Sequence, residues 1–305
     1  MPVSIVCPAC RANALERTTE SIACTGCGAR FGLRDGFPDL VLGDRFPDET
    51  TEQVLRSEED SNRDTVNRFW VPLLRQFLGN PSVAPTVLSV GCGIGVDVDV
   101  LRSHGFDGMG IDCGKRTESW AGRDARDALV MANAMRLPFE DETFDATFCG
   151  CVYPHVGVVG DSTEVAPGYR QDRLALAREM IRVLKPGGRI FVSGANRRCP
   201  IDIFHGREPE SYRPRFNAPS SPFLLSVDDY RELFETAGAS FVTALPVQNY
   251  WGFVSSRRTM KGTLLSLPVR AIFRLVSLNR LAWLRGSSVD PWIVVTAQKP
   301  AARST

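Results

Sequence analysis

The chain has 305 residues, of which 43% are hydrophobic and 23% charged, and its formal net charge is +1. This composition is typical of a folded globular protein with room for one large domain and a small module. The near-zero charge gives no overall signal for a nucleic-acid binder, and no apolar run of about eighteen residues predicts a membrane-spanning helix. No apolar leader precedes Cys7, so we expect a cytoplasmic protein whose nine cysteines are reduced.

Two Cys-x-x-Cys pairs stand near the start of the chain, separated by thirteen residues. This spacing is typical of a structural Zn²⁺ site in which two tight turns present four thiolates to the metal. A catalytic zinc would need an open ligand position, usually with a His or a carboxylate nearby, and no His lies near these cysteines. The sequence therefore predicts a zinc module over residues 1–46 with the ligands Cys7, Cys10, Cys24 and Cys27.

The stretch after the second pair reads FGLRDGFPDLV, in which Asp35-Gly36 predicts a turn. Together with the cysteine pairs it resembles the small zinc-ribbon activator subunit of tRNA and release-factor methyltransferases, and ribbons fused to bacterial methyltransferases. The resemblance implies a module that braces a catalytic domain or docks a protein partner. Residues 1–46 carry five acids and five arginines, and this balance disfavours a grip on RNA.

The next segment, residues 47–80, changes character along its length. Residues 47–64 carry seven acids and two arginines, a net charge of −5, and an amphipathic stretch with Phe69, Trp70 and Leu74 follows. We expect an acidic linker and N-terminal helices that join the module to the following domain and help to shield the cofactor site of that domain.

A glycine-rich turn lies between an apolar strand, VLSV, and a predicted helix over Val96–Ser103. Gly91, Gly93 and Gly95 in such a turn let a ligand approach the backbone. Asp112 ends the next predicted strand, where an acid can accept hydrogen bonds from ribose hydroxyls. A dinucleotide site requires its last glycine one residue later, where this chain has Val96.

The segments ANAMRLPFEDETFDATFCGCVYPHV (132–156) and REMIRVLKPGGRIFVSG (178–194) follow this turn in order. With it they resemble the class I S-adenosylmethionine (SAM) methyltransferases, the broad family that includes quinone-biosynthetic and many small-molecule enzymes. The resemblance implies an α/β, Rossmann-like domain over residues 81–305. Its sheet should have seven mostly parallel strands, the last one antiparallel.

The same resemblance implies where SAM would lie. The glycine loop would contact its methionine part, Asp112 the ribose, and the residues after the third strand the adenine. Asn133 stands where the family usually has Asp, and its side-chain oxygen can still accept a hydrogen bond from the adenine amine. The implied cofactor contacts are Gly91, Cys92, Gly93, Gly95, Asp112, Asn133 and Ala134.

Methyl transfer from SAM mainly requires alignment of the acceptor, and a hydroxyl acceptor also needs a base. His155 would line the cofactor pocket or act as that base. His205, in the loop after the fifth strand, would cover the acceptor as a base or remain a solvated loop residue. Tyr153 is a candidate acceptor contact, and Cys149 and Cys151 are expected to be inert core thiols.

Residues 255–285 carry six arginines and one lysine without any acid. After Pro268, helical spacing aligns Arg270 and Arg274 in a polar stripe with Ser277 and Arg280, and sets Val269, Ile272, Phe273, Val276 and Trp283 opposite. We expect an amphipathic helix within residues 255–286, inserted between the last two strands as a cap over the pocket. Such a basic helix can also lie on anionic lipid, so residues 257–286 are a candidate membrane contact.

The sequence thus predicts a SAM-dependent methyltransferase that acts on oxygen, carbon or nitrogen of a small or lipid-like molecule, with Zn²⁺ in a structural role. One alternative is an rRNA or tRNA methyltransferase whose ribbon holds RNA, although the neutral ribbon makes a nucleic-acid partner less expected. A second alternative is a SAM-binding scaffold whose ribbon docks a protein partner.

Overall fold

The structure, a computed structural model, describes residues 3–43, 45–46, 51–79, 82–160, 162–202, 215–218, 220–250 and 260–302. His205 and residues 251–259 lie outside the described residues. The strands are β1 Leu15–Arg17, β2 Ser21–Cys24, β3 Arg30–Arg34, β4 Phe37–Asp39, β5 Thr86–Val90, β6 Asp107–Asp112, β7 Leu129–Met131, β8 Phe144–Gly150, β9 Leu184–Ala195, β10 Ile201–Asp202, β11 Arg215–Phe216, β12 Ser240–Leu245 and β13 Trp292–Gln298. The α-helices are α1 Glu52–Thr65, α2 Val71–Leu78, α3 Val96–Ser103, α4 Tyr169–Arg182, α5 Val227–Thr236 and α6 Met260–Ser277, and the π-helical turn Val66–Trp70 joins α1 to α2.

The central sheet has the strand order β1-β2-β3-β4-β7-β6-β5-β8-β9-β13-β12. Strands β7, β6, β5, β8 and β9 are parallel, and β13 runs antiparallel to both β9 and β12. These strands and β12 form the predicted seven-stranded sheet with an antiparallel last strand, so this prediction is confirmed. The predicted helix over Val96–Ser103 and the strand that ends at Asp112 also have these bounds.

The N-terminal module extends the same sheet, which the sequence did not indicate. Strand β4 pairs in parallel with β7 through Asp39 and Met131, and the amide of Leu40 donates to the carbonyl of Met131 at 2.8 Å. The amide of Val6 also donates to the carbonyl of Pro138 at 2.9 Å. Because β7 would otherwise leave an unpaired edge, the module covers backbone groups that would need another partner.

Helices cover both faces of the seven-stranded sheet, so its central strands are apolar on both sides. In β9, Ile190 and Val192 contact one buried cluster with α4 and α5, whereas Phe191 contacts a second cluster with α2 and α6. This alternation explains why the predicted strands read as continuous apolar runs.

The predicted basic helix lies between β12 and β13, as expected, but it begins at Met260 and contains Pro268 within its length. Phe273 and Val276 are buried, as the spacing predicted. Trp283 is 74% exposed, so its assignment to the buried side was wrong. The reason is that α6 ends at Ser277 and Trp283 belongs to a separate 3₁₀ turn, Asn279–Leu284. No helix in the described part of the chain is both long and apolar enough to cross a membrane.

Candidate cofactor site and cysteine cluster

The turn between β5 and α3 depends on glycine geometry. Gly91, Gly93 and Gly95 have φ values of +72°, +54° and +80°, in the left-handed region that other residues rarely adopt. A Cβ atom at Gly91 would lie 2.3 Å from Cγ2 of Val152. The turn therefore combines a backbone conformation and a close approach that only glycine permits.

Asp112 fixes this turn against the end of β6. Its Oδ2 accepts a hydrogen bond from the amide of Gly93 at 2.9 Å, and its Oδ1 accepts from the amides of Cys113 at 2.7 Å and Gly114 at 2.8 Å. Burial raises the pKa of Asp112, and the amides of Gly114 and Gly93 oppose that effect. A carboxylate offers about four acceptor positions, so roughly one remains for a ligand hydroxyl.

A cavity of about 880 Å³ opens at the carboxyl ends of β5, β6, β7 and β8. Its volume is within the range of about 300–1,000 Å³ that is usual for small-molecule and cofactor sites. The edge of the sheet at which it lies is where open α/β sheets bind ligands. The sequence-predicted residues that line it are Gly91, Cys92, Gly93, Asp112, Asn133, Ala134 and His155.

Gly95 does not line the cavity. A Cβ atom there would meet Cδ1 of Leu129 at 3.0 Å and Cδ1 of Trp120 at 3.2 Å, and Gly95 precedes the first residue of α3. The geometry gives this glycine a role in packing α3 on the sheet rather than the predicted contact with a cofactor.

Asn133 joins the N-terminal module to the cavity. Its Oδ1 accepts from the amide of Met135 at 2.9 Å, while its Nδ2 donates to the carbonyl of Leu42 at 3.3 Å. An Asp at this position could not donate to Leu42, which explains why Asn fits here. The Oδ1 atom keeps a second acceptor position toward the cavity.

Two further segments line the cavity, and the sequence predicted only the second of them, residues 47–80, to shield a cofactor. Arg45 and Phe46 come from the tail of the N-terminal module, and Glu58 comes from α1. Glu58 forms a bidentate ion pair with Arg116, with a closest distance of 2.7 Å, and a Cβ atom at Gly93 would lie 3.3 Å from Cδ of Arg116. This pair holds α1 over the glycine turn, and the acidic character of residues 47–64 was the one sequence signal for it.

Asp97 carries a strongly perturbed carboxyl group on the cavity wall. Burial raises its pKa to about 7, a hydrogen bond from Oγ of Ser89 at 3.0 Å opposes the shift, and repulsion from Glu58 and Asp112 adds to it. A cationic ligand group nearby would stabilise the ionised form of this carboxyl.

The structure places the candidate catalytic residues His155 and Tyr153 in different environments. His155 is half-buried on the cavity wall, with its ring edge-to-face to Phe46 at 6.0 Å and to Phe223 at 5.6 Å. Tyr153 is buried in the core, where its hydroxyl donates to Sδ of Met180 at 3.6 Å. Tyr153 therefore does not reach the cavity, contrary to the prediction that it contacts the acceptor, because the turn Tyr153–His155 is 3₁₀ and directs the two rings differently.

The two cysteines at the end of β8, Cys149 within it and Cys151 just after it, lie in different environments. Cys149 is buried, as predicted for a core thiol, and burial raises its pKa. Cys151 instead lines the cavity and has a φ of +57°.

One end of the cavity is aromatic. Tyr250 lies 5.0 Å from Trp292 between ring centroids, and Trp70 lies 5.1 Å from Phe148. The hydroxyl of Tyr250 is 3.2 Å from Oγ of Ser193. This end suits an apolar or ring-containing ligand, because all four rings line the cavity.

The four cysteines of the N-terminal module form one cluster. Their sulfur atoms all lie within 4.8 Å of one another, with Cys7 to Cys27 at 3.8 Å and Cys10 to Cys24 at 3.6 Å. Tetrahedral thiolates about 2.3 Å from a zinc ion would be roughly 3.8 Å apart, so the cluster has the dimensions of such a site. Hydrogen bonds from the backbone of Cys27 and Gly26 lower the pKa of Cys24 to about 7, although burial opposes this.

Comparison with known proteins identifies the central part of the chain. Residues 88–192 match the family described as "Methyltransferase domain", and they contain the end of β5, the glycine turn and Asp112. Over these residues, about a third of its length, the chain is similar to a methyltransferase domain. This domain accounts for the cavity at the ends of its parallel strands.

Two curated relatives of the methyltransferase domain differ in what they act on. The chain is 29% identical over 180 residues to the 2-methyl-6-phytyl-1,4-hydroquinone methyltransferase of Synechocystis sp., an alignment that covers 55% of this chain and 51% of that protein. It is 32% identical over 130 residues to the probable tRNA methyltransferase 9B of Homo sapiens, covering 42% of this chain and 25% of that protein. The chain thus spans about half the length of the first relative and a quarter of the second.

A solved structure agrees with the methyltransferase fold. The phosphoethanolamine N-methyltransferase 2 of Haemonchus contortus, in complex with S-adenosyl-L-methionine, superposes with a TM-score of 0.50 at 19% identity. The match covers 87% of this chain and 61% of that chain. At this identity the similarity concerns the fold alone.

Proposed function

We propose that the chain is a SAM-dependent methyltransferase that acts on a small, apolar or lipid-like acceptor. The observation that carries the proposal is Asp112, which sits at the tip of β6 beside the glycine turn with an acceptor position left toward the 880 Å³ cavity. This arrangement suits the ribose hydroxyls of a nucleoside. The methyltransferase domain, which contains this part of the chain, supports the assignment of that nucleoside to SAM.

The residues of the cavity divide the cofactor between them in this proposal. SAM supplies an activated methyl group to the site. Asp112 would accept hydrogen bonds from the ribose, and Oδ1 of Asn133 would accept from the adenine amine. The ionised carboxyl of Asp97 would attract the positive charge of the methionine part.

The aromatic end of the cavity is the proposed acceptor site. Trp70, Phe148, Tyr250 and Trp292 are all buried or nearly so, and they offer flat apolar surfaces to a ring. Such surfaces orient an acceptor and exclude water, which is most of what an in-line methyl displacement requires of a protein. The hydroquinone acceptor in the name of the Synechocystis relative is a molecule of this kind.

His155 is the proposed base for a hydroxyl acceptor. It lies on the cavity wall between Phe46 and Phe223, and an imidazole can accept a proton near neutral pH. Its position is consistent with this role, whereas Tyr153 is buried in the core and is excluded from it. His205 remains a prediction outside the described residues.

We also propose that the four cysteines bind one structural Zn²⁺. The sulfur spacing supports four-coordinate binding, and such a site leaves no open position for catalysis. The ion would hold the module against β7, and the module's tail, with Arg45 and Phe46, forms part of the cavity wall.

The test is transfer of a radioactive methyl group from labelled SAM to a panel of hydroquinones, phenols and lipid extracts. We expect label in an apolar, ring-containing product, with turnover reduced by His155→Ala if the methylated atom is a hydroxyl oxygen. Cys149→Ser, a change at a buried thiol off the cavity, serves as the control. Absence of label in every acceptor from a protein that binds SAM would overturn the acceptor class.

A second candidate acceptor is tRNA, favoured by the 32% identity to the human probable tRNA methyltransferase 9B. The neutral N-terminal module gives no basic surface for it. Filter binding of total tRNA at physiological salt distinguishes the two, because the first proposal expects negligible retention.

A further inference from the structure

Helix α6 presents a line of apolar side chains to the outside of the protein. Leu264, Leu267, Leu275 and Leu278 are each at least half exposed, at 64%, 57%, 50% and 52%. At 3.6 residues per turn these positions fall on one side of the helix and its C-terminal end. Phe273 and Val276 lie on the opposite side and are buried against the second core cluster. The protein's own core therefore does not account for the exposed leucines.

The C-terminal end of α6 is firmly attached, so its outward leucines are not the result of a loose helix end. Arg285 donates to the carbonyls of Val276 and Ser277 at 2.9 and 3.1 Å. The hydroxyl of Ser277 accepts from the amides of Val247 and Gln248 at 3.1 and 2.8 Å.

Arginines follow one flank of the leucine line. Arg270 and Arg274 are exposed, and with Arg68 they line a surface depression of about 190 Å³. The amide side chains of Gln248 and Asn249 complete its polar wall. The described residues that line the depression include three arginines and no acid, and one of these arginines, Arg68, is paired with Asp64 at 2.5 Å. The depression is thus a cationic, hydrogen-bond-donating site next to an apolar ridge.

We propose that this face of α6 binds the surface of an anionic lipid bilayer, with the leucines among the acyl chains and a lipid phosphate in the arginine depression. An amphipathic helix with basic residues beside a protruding apolar line lies in a membrane interface in this way. An RNA would bind the arginines but leave the leucines exposed to water. A protein partner with an acidic groove would cover the leucines only if it also carried an apolar surface beside that groove. The joint presence of both surfaces favours the bilayer.

The depression adjoins the cofactor cavity, because Tyr250 lines both. A bilayer held at α6 would therefore lie beside the aromatic end of that cavity. This consequence for a lipid-like acceptor rests on the proposed function, whereas membrane binding itself does not.

The experiment is flotation of the full chain with vesicles of phosphatidylcholine alone and of phosphatidylcholine with phosphatidylglycerol. We expect binding to the anionic vesicles, weakened by salt, and little binding to the neutral ones. Arg270→Gln with Arg274→Gln should lower partitioning about 25-fold, roughly fivefold for each charge lost near the surface. Leu275→Ser with Leu278→Ser should lower it at least about tenfold.

Matched controls come from the rest of the surface. Val83→Ser replaces an apolar residue that is 74% exposed, and Arg56→Gln removes an exposed arginine of α1. Both controls should bind vesicles as the wild type does. Circular dichroism and SAM titration of every variant separate loss of the fold or of the cofactor site from loss of membrane binding.

Three outcomes would overturn the proposal. The first is equal vesicle binding by the α6 variants and their controls, and the second is retention of tRNA or an acidic peptide without binding to anionic vesicles. The third is binding of millimolar glycerol phosphate by a protein that does not float with anionic vesicles, because a soluble phosphate compound would then be the ligand of the depression.

Discussion

Substitution of Gly91 by Ala tests the geometry of the glycine turn most sharply. An Ala at φ +72° costs about 1–2 kcal/mol in backbone strain. The new Cβ would lie 2.3 Å from Cγ2 of Val152, and overpacking of this kind costs about 1–3 kcal/mol more. We therefore expect Gly91→Ala to lower the free energy of unfolding by about 2–5 kcal/mol. Val152 borders the cavity, so its displacement should also weaken SAM binding.

Gly105 supplies the matched control. Its φ is +81°, and among the described residues nothing lies within 4 Å of a Cβ placed there. Gly105→Ala should thus show the strain alone, about 1–2 kcal/mol, and leave SAM affinity unchanged. Adding Val152→Ala to Gly91→Ala should recover the packing part, because the next nearest atom of Val152, its Cβ, is 3.5 Å away.

Urea unfolding measures the stability of the wild type, of the two single glycine variants and of the double variant. Calorimetric titration measures the affinity of each for SAM. The reasoning is refuted if Gly91→Ala and Gly105→Ala lower the free energy of unfolding by the same amount. It is also refuted if the double variant Gly91→Ala with Val152→Ala is no more stable than Gly91→Ala alone. In either case Gly91 would be required only for its backbone angle.

Three further predictions address the acid on the cavity wall, the module and the core tyrosine. Because burial raises the pKa of Asp97 from 3.8 to about 7, the folded chain holds more protons than the unfolded one between these values. Asp97 should therefore make stability fall as pH rises through that window, and Asp97→Asn should reduce this slope in thermal unfolding, leaving the part that comes from Asp112 and Asp290, whose pKa values burial also raises; a slope equal to that of the wild type would contradict the assignment. Removal of zinc by a chelator should weaken SAM binding about two- to tenfold, because the hydrogen bond from Asn133 to Leu42, worth about 0.5–1.5 kcal/mol, is lost. Full affinity after metal loss would show that the module does not shape the cavity. Tyr153→Phe should change stability by less than about 1 kcal/mol and leave methyl transfer intact, since its hydroxyl contacts only a weak acceptor; a large fall in turnover would restore it as a catalytic candidate.

The features predicted well from the sequence depend on neighbours in the chain. The Cys-x-x-Cys pairs, the glycine turn and the strand that ends at Asp112 each lie within a short segment, so local geometry determines them. The seven mostly parallel strands with an antiparallel last strand were expected from the family resemblance that the ordered motifs carry.

The features that were missed depend on contacts between distant segments. The pairing of β4 with β7 uses backbone groups, which leave no mark in side-chain patterns. The ion pair of Glu58 with Arg116 joins residues 58 positions apart. Tyr153 was assigned to the acceptor because it lies in the segment expected to run past the methyl group. In the structure, a 3₁₀ turn places its ring in the core, whereas His155 two residues later lines the cavity.

Binding of SAM to the zinc-loaded chain tests the central claim most directly. Equilibrium dialysis should give one SAM per chain, with affinity reduced at least about tenfold by Asp112→Ala through loss of a charge-assisted hydrogen bond. Asp107→Ala removes an acid at the opposite end of the same strand and should bind SAM as the wild type does. Failure of the folded wild type to bind SAM, or equal affinities for the two variants, would contradict the account.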